Sequence, residues 1–134
     1  MFNDITIVPV RTDRKAAYLA FSARIAEIYR EYGATRITDC WQCLEASNEA
    51  DFHAADAMDT YAPGDLPDMR RLAGAAPDET VVISITEWPS QAVRDRAIKA
   101  VLVDPRIQAT MNEDPVFDGK RLIAAGFDVE YDLH

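Results

Sequence analysis

The run at 80–103, TVVISITEWPSQAVRDRAIKAVLV, narrows the fold more than any other feature of the chain. Its first part alternates as a strand does, with Val81, Ile83 and Ile85 on one side and Val82, Ser84, Thr86 and Trp88 on the other. At Trp88 the period changes. Pro89 interrupts the strand and Ser90 is a residue type that caps a helix. Val93, Ala97, Ile98, Val101 and Leu102 then recur at helical spacing. Asp104-Pro105 stops that helix and suits the first turn of a short second one, DPRIQATM. A strand that turns sharply into an amphipathic helix implies a sheet with helices packed on it. The wholly apolar face of Val81, Ile83 and Ile85 is expected to meet the helices, and the mixed face to point away from them.

The rest of the chain supplies the partners. ITIVPV at 5–10 reads as a strand, with Pro9 favouring an edge or a terminus. Thr12 or Asp13 can cap a helix with the stripe Tyr18, Phe21, Ile25, Ile28 and Tyr32, stopped by Gly33. ATRITDCWQC at 34–43 reads as a second strand, with Arg36, Thr38 and Cys40 on one side and Ile37, Asp39 and Trp41 on the other. FDGK at 117–120 is a turn into a last strand over 121–129, where Gly126 marks a bulge or bend. The polar, proline-containing stretch at 44–78 is a long loop insertion, with short helical pieces expected near 51–58 and 67–73. The order β-α-β-loop-β-α-β predicts an α+β fold on the ferredoxin-like βαββαβ plan. Residues 1–134 form a single domain in this reading, with a four-stranded antiparallel sheet and both helices on one face.

Charge and cysteine content bound the function. Asp and Glu number 23 against 14 Lys and Arg, for a net charge of -9, and the basic residues are scattered. Nucleic acid and anionic membranes are therefore disfavoured partners, since both need a basic footprint. No apolar run approaches the ~20 residues that span a bilayer, and MFNDITIVPVRTDRK does not read as a signal peptide, so the cytosol is the expected compartment. Cys40 and Cys43 form CWQC without a second cysteine pair. His53 is the only histidine inside the chain, in a polar loop with Asp56 three residues on. Neither pattern completes a ligand set, so no metal and no cofactor are expected.

Several of these strings have a familiar look. YGATRITDCW, DETVVISITEWPSQAVRD, DPRI and VFDGKRLIAAGF, in that order, resemble the bacterial family called domain of unknown function 1428. That family shows an E-C-W strand, an E-W-P-S-K-A-x-R-D junction, a D-P-R-M stop and an F-D-G-K-R-M final strand. This chain departs from it at Asp39, Gln91, Ile107 and Leu122, and its region between Phe52 and Ala76 is longer. The resemblance implies the dimeric α/β-barrel superfamily, in which two ferredoxin-like sheets pack face to face around a cavity. It implies no reaction.

The ligand-binding candidates are Trp41, Ser84, Thr86, Trp88 and Arg121. Trp88 shares a strand face with Ser84 and Thr86, Trp41 belongs to the neighbouring strand, and Arg121 offers a cation near the turn into the last strand. Packing is the commoner role for a buried Trp. Glu87 is expected to pair with Arg94 or Arg121, and no catalytic residue is assigned. An open face holding Val82, Ser84, Thr86 and Trp88 would form an apolar patch, so a homodimer through the sheet is expected, with a cavity behind Trp88. The first function that fits is binding of an apolar or aromatic small molecule in that cavity. A cofactor-independent monooxygenase or isomerase is the alternative, and a structural or protein-interaction module the third.

Overall fold

A computed structural model describes residues 1–43, 62, 65 and 67–134. Its main elements, in chain order, are β1 (Phe2–Arg11), α1 (Lys15–Glu31), β2 (Arg36–Trp41), α2 (Met69–Ala73), β3 (Glu79–Trp88), α3 (Gln91–Leu102), α4 (Pro105–Ala109) and β4 (Ile123–Asp128). The strands form one sheet in the order β2-β3-β1-β4, and every neighbouring pair is antiparallel. The sheet is open, with β2 and β4 at its edges. No helix among the described residues is long and apolar enough to cross a membrane.

Local sequence accounts for most of the joints. Ser90 Oγ accepts the Val93 amide at 3.2 Å, and Asp104 Oδ1 accepts the Arg106 amide at 2.8 Å, so both expected caps form. Asp68 caps α2 through the Arg71 amide, and Gly74 closes it in the left-handed region at φ 67°. The start of α1 differs from expectation. Thr12 donates both its amide and its hydroxyl to the Asp78 carbonyl, and Asp13 pairs with Arg11, so neither caps the helix; a 3₁₀ turn leads into α1 instead.

β1 lies between β3 and β4, yet β4 stops opposite Ile7, so Pro9 sits where one side of β1 has no strand beside it. Gly126 is not a bulge: the β1–β4 register runs unbroken from Phe2 opposite Asp128 to Ile7 opposite Ile123. The glycine is there because the Phe2 ring lies over it. A Cβ at Gly126 would come within 2.5 Å of Phe2 Cζ. In the loop, α2 forms within the expected 67–73 piece, whereas 51–58 and His53 lie outside the described residues.

The helices reverse the expected assignment of faces. α1 and α3 cover the mixed face of β3. Trp88 and Val82 are each 0% exposed on that side. Two core clusters form there. One joins Phe2, Ala34, Trp88 and Ala97, with Tyr29 and Val93 against them. The other joins Val8, Val10, Tyr18 and Val82, with Trp41 and Phe117 against them. The opposite face carries Ile5 opposite Ile85 and Ile7 opposite Ile83, all half-buried, with Ile123 and Phe127 exposed beside them on β4. α2 lies against β1 and β3, where Pro9 and Val81 are fully buried. The physical reason for the reversal is that polar residues of the mixed face satisfy one another beneath the helices. Ser84 bonds Asp39, and Trp88 bonds Asp4.

Candidate functional site

The two core clusters do not meet. Between them, under α1 and α3, lies a cavity of about 500 Å³. β3 contributes Ser84 and Thr86 to it, β2 contributes Ile37 and Asp39, and β1 contributes Asp4 and Thr6. From above, α1 brings Tyr18, Phe21, Ser22 and Ile25, and α3 brings Arg94 and Ile98. Ala124 and Gly126 of β4 also line it. They are exposed, so the cavity opens on the β4 side.

Two polar groups are built into it. In the first, Asp39 accepts the hydroxyl hydrogens of both neighbouring serines, Ser84 at 2.5 Å from β3 and Ser22 from α1. Tyr18 stands beside Ser84. Burial raises its phenol above the ordinary 10.0, Ser84 opposes the rise, and the charge of Asp39 adds to it. Tyr18 therefore stays a neutral hydroxyl. In the second group, Asp4 accepts Trp88 Nε1 at 3.0 Å and Arg94 Nε at 2.9 Å. Arg94 Nη1 also reaches Asp95 at 3.2 Å, and hydrogen bonding to Asp4 holds the guanidinium above its ordinary pKa. Burial likewise raises the phenol of Tyr29, which packs on Trp88.

Of the five candidates read from sequence, Ser84 and Thr86 line the cavity. Trp88 is sealed in one cluster and braces Asp4 from behind. Trp41 belongs to the other cluster, edge-on to Tyr18 at 5.4 Å, with the Lys15 ammonium 5.3 Å from its ring centre. Arg121 is elsewhere, beside a separate groove with Arg11, Arg14 and Asp114. Its guanidinium grips Glu79 at 2.7 and 2.8 Å and the Gly74 carbonyl at 2.6 Å, so it fastens the α2 end to β3. Glu87 pairs with Arg36 at 3.6 Å and not with Arg94 or Arg121, because those two are held by Asp4 and Glu79. Cys40 and Cys43 are exposed, unbonded thiols. Among the described residues no three His, Cys, Asp or Glu side chains converge as a metal site would require.

Asp39, Ser22 and Asp4 were not among the sequence candidates. A signal existed for two of them. Asp39 sits between Ile37 and Trp41 on the inward side of β2, and Ser22 follows Tyr18 by four residues on the apolar stripe of α1. Both are polar residues at core positions, which need a stated partner.

Comparison with known proteins agrees with the strings that run through these elements. The family model described as "Protein of unknown function (DUF1428)" matches residues 1–119. The chain belongs to this family. A curated relative, the uncharacterised protein YbaA of Escherichia coli strain K12, is 37% identical over 127 residues, which cover 95% of this chain and 94% of the relative. The YbaA of Shigella flexneri matches with the same identity and coverage. The 127 matched residues are nearly the whole of both chains, so the elements around the cavity lie within a shared sequence frame, while the family description itself names no activity.

Proposed function

We propose that this DUF1428 protein binds a small, mainly apolar molecule in the cavity between α1, α3 and the sheet. One observation carries the reading: a space of about 500 Å³ separates two packed clusters and combines apolar walls with a few fixed polar groups. The space opens on the β4 side, which gives a ligand a way in. The proton-transfer alternative needs a base facing the ligand. Asp39 is a carboxylate in the right place, but both its oxygens already hold a serine hydrogen, and anchoring is its simpler role.

The strand order β2-β3-β1-β4, with α1 and α3 on one face, supports a ferredoxin-like plan. The half-buried isoleucine face supports pairing of two copies through the sheet as in a dimeric barrel. Exposed apolar area costs about 25 cal/mol per Å², and four isoleucines flanked by Ile123 and Phe127 make a contiguous patch. The interface in this reading is Ile5, Ile7, Ile83 and Ile85. The face first expected, which holds Thr86, is under the helices.

Two measurements test this. Ala124→Phe should fill the cavity from its open side, abolish binding of a neutral aromatic probe such as 2-naphthol, and leave the fold intact by circular dichroism. Unchanged binding, or no binding by the wild type at ~1 mM probe, sinks the cavity. Light scattering should give twice the chain mass for the wild type and the single-chain mass for Ile85→Arg, while Thr86→Arg should unfold the protein. A monomeric wild type at tens of micromolar, roughly the working range for an obligate pair, refutes the pairing.

A further inference from the structure

The hydrogen-bond polarity of the cavity says what kind of head group it accepts. A serine hydroxyl has one hydrogen to give. Ser22 and Ser84 each give theirs to Asp39, so what they still offer is lone pairs. Asp39 offers lone pairs only. Three acceptors from three different elements, α1, β2 and β3, are thus grouped at one place on the cavity wall. Among the described residues no Lys, Arg or His side chain forms an ion pair with Asp39. Among the described residues the only cation lining the cavity is Arg94, and it is engaged by Asp4 and Asp95. The charged lining residues among those described are Asp4, Asp39 and Arg94, two negative and one positive, which leaves one net negative charge. The chain as a whole carries -9.

An anion entering at Asp39 would face its carboxylate and the serine lone pairs, with the Tyr18 hydroxyl as a donor beside Ser84. A neutral alcohol has one hydrogen to donate. A protonated primary amine has three, together with a charge opposite to that of Asp39. Phe21, Ile25, Ile37, Ile98 and Phe117, beside the hydroxyls of Thr6, Thr86 and Thr110, make up much of the remaining wall and suit a hydrocarbon or aromatic body.

We propose that the cavity selects a protonated amine with an aromatic or alkyl body, its ammonium group docked on Asp39, Ser22 and Ser84. This rests on the cavity-binding reading above and adds the charge and polarity of the ligand. The negative field of the chain aids capture of such a cation, and salt weakens it.

Three probes of nearly equal shape separate the two claims: phenethylamine, 2-phenylethanol and 3-phenylpropionate, titrated calorimetrically into the full-length protein at pH 7. The amine should bind at least about tenfold more tightly than the alcohol, and the carboxylate should show no heat of binding at ~10 mM. Asp39→Asn should bring the amine down to the level of the alcohol and leave the alcohol within about threefold of its wild-type affinity. Where Asp39→Asn folds poorly, Ser84→Ala keeps the carboxylate and removes one acceptor. It should weaken the amine more than the alcohol. Alcohol or carboxylate binding as tightly as amine overturns the charge assignment while the cavity reading stands. If none of the three binds at ~10 mM, both readings fall together.

Discussion

Asp4 is the residue whose loss the structure makes easiest to quantify. Asp4→Ala removes the acceptor of Trp88 Nε1, at 3.0 Å, and of Arg94 Nε, at 2.9 Å. Trp88 is fully buried, so its N–H has no water to turn to. A buried donor left unmatched costs about 1–3 kcal/mol. The Arg94 side chain is 33% exposed and recovers part of its loss in solvent, so its share is only about 0.5–1 kcal/mol. Asp4→Ala should therefore cost about 1.5–4 kcal/mol in all. At roughly 3–5 °C per kcal/mol for a chain of this size, the melting temperature falls by about 5–20 °C. Asp4→Asn keeps an oxygen to accept the indole N–H and gives up the charge, so it should cost only about 1 kcal/mol. The assay is urea denaturation followed by circular dichroism, with slope and midpoint both fitted. Trp88→Phe closes a double-mutant cycle: combined with Asp4→Ala it removes the orphaned N–H, and the coupling should be about 1–2 kcal/mol. An Asp4→Ala protein within about 0.5 kcal/mol of wild type, or an Asn variant as damaged as the Ala variant, would refute the role given to this carboxylate.

Gly126→Ala should destabilise by about 1–3 kcal/mol, because a Cβ 2.5 Å from Phe2 Cζ must push a ring that is packed into the first core cluster. Phe2→Leu should relieve part of that cost in the double variant, and additive losses in thermal melts would show that the ring is not the obstacle. Acid sensitivity should trace mainly to the two buried carboxyls among those that are depressed, Glu79 and Asp104. Hydrogen bonding from Arg121 holds Glu79 below its ordinary 4.5, and hydrogen bonding from Arg106 and then Tyr32 holds Asp104 below its ordinary 3.8. Each has a lower pKa folded than unfolded, so its stabilisation is complete above the unfolded value and is lost as the pH falls through the folded one. The urea midpoint should be flat from about pH 7 to 5 and drop below that. Glu79→Gln should flatten the first part of the drop and leave the later part to Asp104; an unaltered profile would count against the Arg121–Glu79 clamp.

Periodicity, capping and turn chemistry were sufficient for the elements themselves. The switch from alternation to helical spacing at Trp88, the Ser90 and Asp104 caps and the stripe of α1 are local properties. These local signals held, whereas the cap expected at Thr12 was lost to a distant partner, the Asp78 carbonyl. Alternation also grouped the right residues on each side of β3. It could not say which side the helices cover, because that depends on where α1 and α3 pack, and packing decided against the greasier face. The mixed face could be buried because Asp39 meets Ser84 and Ser22, and Asp4 meets Trp88 and Arg94, and those partners are 17 to 90 residues apart in the chain. The same distances hid the candidate site. Ser84 and Thr86 were legible as polar residues in an apolar strand, but the carboxylate between them and α1 acquires its meaning only when β2 lies beside β3. Sequence thus determined the pieces and their faces, since these follow from backbone geometry and side-chain type. Tertiary structure alone decided which face became interior and where the core stayed open, since burial is a property of the whole chain's packing.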